Sequence, residues 1–203
     1  MSSKKYTVLS EHNQKLEKDG IVHISMPPIL TCPCSGKCKE YCYAQVGLQS
    51  WKPAKNFRLR NLDLFLNHPD EFEKVAKEDI HGSGRRIIRW LDSGDIMNQA
   101  FLKMMVRVAE NFPDIKFYAY TKSISIVINF GWENLPKNLK LIQSYGGLED
   151  RLIDPSRPFA RVFADEASIP TDYVKASHSD YRAATDATRI GIAVHGIRRK
   201  KFK

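Results

Sequence analysis

The chain has 203 residues, of which 42% are hydrophobic and 27% are charged. This composition is typical of one folded domain with a hydrophobic core, and it excludes collagen, a long coiled coil and wholesale disorder. No apolar stretch reaches the ~20 residues that a membrane-spanning helix needs, and residues 1–20 form a polar leader without the apolar run of a signal peptide. We therefore expect a single domain over residues 1–203, located in the cytoplasm and without a membrane partner.

The formal net charge is +9, and a basic tail at residues 198–203 contributes five of the positive charges. These charges belong to Arg198, Arg199, Lys200, Lys201 and Lys203. A basic segment of this kind binds nucleic acid in some proteins and is simply solvated in others. Nucleic acid is therefore a candidate partner of the tail, and a solvated chain end is the alternative.

All four cysteines of the chain lie within the segment TCPCSGKCKEYCYA, residues 31–44. They are Cys32, Cys34, Cys38 and Cys42. Disulfide-rich proteins spread their cysteines to connect distant loops, whereas thiols clustered in a chain without a signal peptide indicate a metal or cluster site. The alternative is that these cysteines are small buried hydrophobic residues.

The residues around the cysteines predict how the thiols converge. Residues 36–46 favour a helix, which would place Cys38 and Cys42 on one face, while Cys32 and Cys34 lie in a proline-containing loop that can fold over it. The spacing lacks the paired C-x2-C motifs of structural zinc sites. Soft thiolates select zinc, Cu(I) or iron–sulfur clusters, and three thiolates on a [4Fe–4S] cluster would leave one iron open.

Hydrophobic periodicity predicts an alternation of strands and helices along the chain. The first half contains a strand at residues 21–26, two helices within residues 54–80 that separate near His68, a strand at residues 86–91 and a helix at residues 98–111. The second half contains a strand at residues 116–120, a helix at residues 124–130, and strands at residues 139–144, 160–164 and 189–194. About six strands in βα units predict an α/β fold, either a partial (βα)6 barrel or an open, mostly parallel sheet.

Polar groups follow most of these strands, at the end of a parallel sheet where ligands gather. The candidates are Asp92, Ser93, Gly94 and Asp95 after the second strand, Lys122 after the third, Ser144, Tyr145, Gly146 and Gly147 after the fourth, and His195 after the last. We predict that they face one site, with Lys122 and His195 as candidate catalytic groups. The alternatives are a helix N-cap for the aspartates, a solvated lysine, a plain turn and a structural histidine.

The cysteine loop ending in Cys42-Tyr43-Ala44, followed by a second strand and Ser93-Gly94-Asp95, resembles the radical SAM architecture. In that architecture three loop cysteines hold a [4Fe–4S] cluster, and a Gly-Gly-Glu-like motif binds the methionine amino group of S-adenosylmethionine (SAM). The order TCP, CYA, RWLDSGD and FYAYTKS, within residues 21–147, is more closely similar to the uncharacterised phage family named after mycobacteriophage gene product eighty-eight.

The resemblance implies an iron–sulfur protein of radical-SAM-like fold that acts in the host cytoplasm. Cys38 and Cys42, with either Cys32 or Cys34, would hold the cluster, because the spacing has one residue more between the last two cysteines than the usual C-x3-C-x2-C motif. The residues expected to bind SAM are Asp92, Ser93, Gly94, Asp95 and Ser144, with Tyr43 packed over the cluster loop. With an electron donor, SAM would be cleaved to a 5′-deoxyadenosyl radical that abstracts hydrogen from an unknown substrate.

A second hypothesis needs no catalysis. Zinc bound by the same cysteines would staple the loop, and the basic tail would bind nucleic acid or a host protein. No helix-turn-helix or base-stacking motif accompanies the tail, so this hypothesis ranks below the iron–sulfur one.

Overall fold

A computed structural model describes residues 6–194 of the chain. Eight strands form one sheet: β1 (Leu9–Ser10), β2 (Ile21–Ile24), β3 (Ile87–Trp90), β4 (Lys116–Thr121), β5 (Leu139–Ser144), β6 (Phe159–Phe163), β7 (Val174–Lys175) and β8 (Arg189–Ala193). Their order is β1-β2-β3-β4-β5-β6-β8-β7, and every neighbouring pair is parallel except β1 with β2. The predicted mixed α/β fold with a mostly parallel sheet is confirmed.

The helices are α1 (Gln14–Lys18), α2 (Lys52–Asn67), α3 (Pro69–Ser83), α4 (Gln99–Asn111), α5 (Ile124–Phe130) and α6 (Tyr181–Ala184). The break between α2 and α3 falls at His68, where the sequence predicted it, because Pro69 begins a new helix at its first position. Within residues 6–194, no helix is both long enough and apolar enough to span a bilayer.

The polar leader contributes two elements that the sequence did not predict, the edge strand β1 and the helix α1. Val8, which precedes β1, and Leu16 of α1 are fully buried. Asn13 caps α1 by accepting hydrogen bonds from the backbone N–H groups of Lys15 and Leu16. Residues 6–20 are therefore part of the folded domain and cover the first strand of the parallel sheet.

The two faces of the sheet carry different side chains, because successive residues of a strand point to opposite sides. On the outer face Ile88, Trp90 and Phe117 join a large apolar core with residues of α2, α3 and α4. On the inner face Ile21, Ile87, Tyr118, Ile142, Ala160 and Ile190 form a second cluster with Leu16 and the alanines of α6. The sheet thus has one face covered by α2, α3 and α4, and an inner face that packs against α1 and α6.

Asp180, which directly precedes α6, shows that the sheet is strongly curved. Its carboxylate lies 2.7 Å from Lys15 Nζ and 2.6 Å from Arg89 Nη1, and it accepts a 2.9 Å hydrogen bond from the hydroxyl of Tyr118. Arg89 and Tyr118 belong to central strands, whereas Asp180 follows β7 at the far edge of the sheet. The inner face is therefore concave, and the carboxyl ends of its parallel strands open together at one side.

Candidate functional site

A cavity of about 200 Å³ opens at the carboxyl ends of the parallel strands. The loops after β2, β3 and β4 line it, together with the ends of β5, β6 and β8. Most of the predicted site residues lie on its wall: Cys32, Cys38, Cys42, Tyr43, Asp92, Ser93, Gly94, Asp95, Lys122 and Ser144. His195 and the basic tail at residues 198–203 lie outside the described residues. The structure thus brings together residues that are up to 112 positions apart, from 32 to 144.

The cysteine loop does not form the predicted α-helix. Residues 36–46 contain two short 3₁₀ helices instead, Gly36–Glu40 and Tyr43–Gln45, with Tyr41 and Cys42 between them. The backbone N–H of Cys38 donates to the carbonyl of Ser35 at 2.9 Å and to that of Gly146 at 3.1 Å. Because the neighbouring loop takes part in these backbone hydrogen bonds, the cysteine loop has the tighter 3₁₀ turns rather than a regular helix.

The glycines of the loop after β5 pack against the cysteine loop. A side chain at Gly36 would come within 2.7 Å of the Gly147 backbone, and one at Gly147 within 2.8 Å of the carbonyl oxygen of Cys34. Gly146 has a φ of +95°, and a side chain there would meet the hydroxyl of Tyr41 at 2.6 Å. The sequence predicted Gly146 and Gly147 to face the site, whereas in the structure these glycines allow two loops to touch.

The four cysteines fall into two groups. Cys32, Cys38 and Cys42 line the cavity, and burial raises the pKa of the Cys32 thiol to about 12, with smaller contributions from Asp95 and the other two cysteines. Cys34 does not line the cavity. Its thiol donates a hydrogen bond to Glu149, and burial with this carboxylate raises its pKa to about 11. The described structure thus distinguishes Cys34 from the other three.

Within residues 6–194, no three His, Cys, Asp or Glu side chains are arranged closely enough to hold a single metal ion. A structural zinc site needs four ligands around one ion, at about 2.0–2.3 Å. Cys32, Cys38 and Cys42 line a shared wall rather than surrounding one point.

The loop after β3 is fastened to the start of the cysteine loop. The hydroxyl of Ser93 donates to the carbonyl of Met26 at 2.9 Å, and the backbone N–H of Asp95 donates to the carbonyl of Thr31 at 3.2 Å. Gly94 has a φ of +88°, and a side chain there would lie 2.6 Å from Thr31 Oγ1 and 2.8 Å from Met26 Cβ. Glycine is required at this position because two backbones meet there.

Asp95 is buried, and its carboxylate binds groups of the protein itself. It accepts hydrogen bonds from Thr121 Oγ1 at 2.6 Å, from the backbone N–H of Ile96 at 2.7 Å and from that of Lys122 at 2.9 Å. Burial raises the pKa of Asp95 despite these donors. Asp95 therefore joins the loops after β3 and β4, and with Ser93 it positions the cavity wall.

Asp92 is the second buried carboxylate of this loop. It accepts a hydrogen bond from Ser25 Oγ, lies 3.2 Å from His23 Nδ1, and accepts a 3.3 Å hydrogen bond from Asn13 Nδ2. Burial opposes ionisation of Asp92, but the charge of His23 and the hydrogen bonds from His23 and Ser25 outweigh it, so the pKa is lowered. These partners were not predicted from the sequence. The alternation of residues 21–26 indicates a strand, but it does not show that His23 and Ser25 contact Asp92.

Lys122 brings a positive charge into the cavity wall. It is 9% exposed, and its Nζ donates to Ser144 Oγ at 2.5 Å. Its charge favours the thiolate of Cys38 and partly offsets the burial that raises the pKa of that thiol. In the part of the chain that the structure describes, Lys122 forms no ion pair with a carboxylate, so its charge is available to a ligand.

Two further residues of the wall, Arg89 and Tyr120, were not predicted from the sequence. Both point to the inner face, and the Arg89 guanidinium carbon lies 5.0 Å from the centre of the Tyr120 ring. Arg89 between the apolar residues Ile88 and Trp90 was the available signal, since alternation assigns it to the face opposite Trp90.

The fold and the cavity define an α/β protein with a curved, mostly parallel sheet and a cysteine-lined site at the carboxyl ends of its strands. A family model described as gene product 88 matches residues 2–202, so the chain belongs to the gene product 88 family. This match confirms the predicted phage family. No curated protein and no solved structure matches the chain. The resemblance to radical SAM proteins has no support in these comparisons and stays a prediction.

Proposed function

We propose that this protein binds a [4Fe–4S] cluster through Cys32, Cys38 and Cys42. The observation that carries the proposal is that these three cysteines line one cavity at the carboxyl ends of the strands, whereas Cys34 lies outside its wall and interacts with Glu149. This division favours Cys32 over Cys34 as the third ligand, a choice that the spacing left open.

The donor set suits a cluster better than a zinc ion. In a [4Fe–4S] cluster each thiolate binds a different iron, so the ligands stand farther apart than around one ion. Thiols that line a common wall without surrounding a single point match this requirement. Iron–sulfur clusters also prefer thiolate ligands, and the cavity wall contains no histidine among residues 6–194.

We propose further that the protein is a radical-SAM-like enzyme. The strands β2, β3, β4, β5, β6 and β8 lie side by side in chain order and parallel, which supports a partial (βα)6 barrel. Three cysteine ligands leave one iron free, and the bound cluster would supply the electron for reductive cleavage of SAM, with a host electron donor as partner.

The residues of the cavity have separate tasks in this proposal. The ammonium group of Lys122, held by Ser144, binds the carboxylate of the methionine part of SAM. Ser93 and Asp95 keep the loop of Gly94 against the cysteine loop and so fix the shape of the binding wall. Apolar side chains of β6, of β8 and of the residue that follows β8 exclude water from the cavity: Val162, Ile192, Ala193 and Val194.

Cysteine variants test the cluster. The protein is purified anaerobically, and iron, sulfide and zinc are measured per chain. We expect Cys32→Ala, Cys38→Ala and Cys42→Ala each to lose most of the iron. Cys34→Ala is the matched control, because it removes a thiol of the same loop that does not line the cavity, and we expect it to retain the iron.

Two outcomes would contradict the cluster assignment. If Cys38→Ala and Cys42→Ala keep full iron content, these thiols are not its ligands. If the wild-type protein is colourless and contains one zinc per chain, the zinc-stapled module is correct.

Lys122→Met tests the use of SAM. The variant keeps the length of the side chain and removes the charge, so we expect the dissociation constant for SAM to rise roughly tenfold, as loss of one charge-assisted hydrogen bond predicts. Calorimetric titration of the cluster-loaded protein measures it. The control is Lys103→Met on an exposed face of α4. Equal SAM affinity in the two variants would exclude Lys122 from the SAM site.

A further inference from the structure

The inner wall of the cavity contains two buried polar groups that have no partner within the described protein. They are Nε of Arg89 and the hydroxyl of Tyr120, which lie on the neighbouring strands β3 and β4. Buried polar groups in native proteins are almost always hydrogen-bonded, to protein, water or ligand. Two unsatisfied groups on the same cavity wall therefore leave room for a hydrogen-bonding partner that the described protein does not provide.

The charges around Arg89 favour an anion as this partner. Asp180 is shared by two cations, since its carboxylate lies 2.6 Å from Arg89 Nη1 and 2.7 Å from Lys15 Nζ. The hydroxyl of Tyr118 also donates to it, at 2.9 Å. Asp92, the other carboxylate on this side of the cavity, is already engaged by His23, Ser25 and Asn13. The carboxylates near Arg89 thus already accept hydrogen bonds from other groups. Within the described residues, Arg89 keeps its Nε–H free to donate to a ligand.

We propose that Arg89 and Tyr120 bind the carboxylate or phosphate group of the organic molecule on which the protein acts. Guanidinium groups recognise both anions by paired N–H donors, and the Tyr120 hydroxyl adds a third donor. Val162, Ile192 and Val194 give the same cavity an apolar wall, which suits a hydrocarbon part of the ligand. The substrate class is therefore a small organic anion with an apolar body.

This anion site is distinct from the SAM-binding group proposed above. Lys122 contacts Ser144 and influences Cys38, whereas Arg89 contacts Asp180 and the tyrosines of β4. Only the identification of the anion as the substrate rests on the proposed function, because the binding of an anion by Arg89 and Tyr120 needs neither cluster nor SAM.

Titration with inorganic phosphate and, separately, with acetate tests the site on the full chain purified anaerobically. We expect Tyr120→Phe to weaken binding of the preferred anion roughly tenfold. Its thermal midpoint without anion should be unchanged or higher, because the lost hydroxyl has no partner. Arg89→Lys should also weaken binding, since it loses the planar pair of donors. Tyr6→Phe, which removes the hydroxyl of an exposed tyrosine outside the cavity wall, is the matched control and should bind like the wild type.

The outcomes separate this proposal from the cluster assignment. No anion binding by the wild type, or equal binding by wild type and Tyr120→Phe, overturns it. Binding that is lost in Lys122→Met and kept in Tyr120→Phe overturns it as well, because the anion then lies at the other group. Anion binding that depends on Tyr120 in a protein free of iron supports the anion site and refutes the proposed function. Tighter binding of acetate than of phosphate would identify a carboxylate ligand.

Discussion

The two faces of the sheet use the same strands for different purposes. In β3, Ile88 and Trp90 point to the helix-covered face and join the apolar core, whereas Arg89 points to the concave face and pairs with Asp180. In β4, Phe117 packs outward, and Tyr120 faces the cavity. The outer face therefore supplies the stability that lets the inner face keep buried polar groups, which are costly when they lack partners.

The largest expected effect lies on the helix-covered face. Phe101 of α4 is fully buried, with its ring centre 4.9 Å from that of Phe65 and 6.1 Å from that of Trp90. We expect Phe101→Ala to lower the free energy of unfolding by about 3–5 kcal/mol because it leaves a cavity in the core. Urea denaturation measures the change, and the iron content per folded molecule should stay the same.

The control for this variant is Leu59→Ala on α2, where the side chain is 50% exposed. A surface substitution of this kind changes stability by about 0.5 kcal/mol or less. A similar loss in both variants would show that the helix layer does not carry the stability of the sheet.

The next effect concerns the contact between the two loops of the cavity. Gly94→Ala introduces a side chain at positive φ that collides with Thr31 and Met26. We expect a loss of roughly 2–4 kcal/mol from strain and overpacking, together with lower iron content, because the cysteine loop must move. Gly84→Ala is the matched control, since Gly84 also has positive φ but nothing within 4 Å. It should cost only about 1–2 kcal/mol and leave the iron content unchanged.

Equal losses of stability in the two glycine variants would mean that backbone strain alone matters at Gly94. The contact between the loops would then contribute little to the cavity.

The smallest effect is the pH dependence of the buried pair of Asp92 and His23. The pKa of Asp92 is lower in the folded protein than in the unfolded chain, so its ionised form stabilises the fold at neutral pH, and this contribution falls as the pH drops below about 4. We expect Asp92→Asn to lose roughly 1.5–3 kcal/mol at pH 7 and to show a shallower decline in acid. Urea denaturation across this pH range measures both effects.

Exposed Asp114 provides the control for this pH series. Asp114→Asn should match the wild type at pH 7, as most exposed substitutions do. If Asp92→Asn is as stable as the wild type at pH 7, the buried pair does not stabilise the cavity face.

The sequence was sufficient for the elements that have strong periodicity. Helix α5 and strand β5 have the predicted bounds, and Pro69 marks the division between α2 and α3. The short elements β1, β7 and α6 were not predicted, because segments of two to four residues carry too little pattern, and neighbours in space stabilise them. Local propensity also failed in the cysteine loop, where hydrogen bonds to the loop after β5 replace a helix by 3₁₀ turns.

The sequence predicted where the candidate site lies, but not which of its residues line the cavity and which only support it. Parallel strands place their following loops at one end, so Cys38, Asp95 and Lys122 could be assigned to a common site from order alone. Which cysteine turns away depends on Glu149, which follows in a loop more than 100 residues later. The anion-binding pair, Arg89 and Tyr120, depends on the curvature of the sheet, and no local pattern encodes that curvature.

The most direct test of the cysteine-lined cavity is the iron and sulfide content of the anaerobically purified protein, measured beside Cys38→Ala and Cys34→Ala with a visible absorption spectrum. About four irons and four sulfides per chain in the wild type and in Cys34→Ala, with little in Cys38→Ala, is the predicted result. A colourless wild-type protein that contains zinc, or iron that survives the loss of Cys38, would contradict the assignment of a cluster to this cavity.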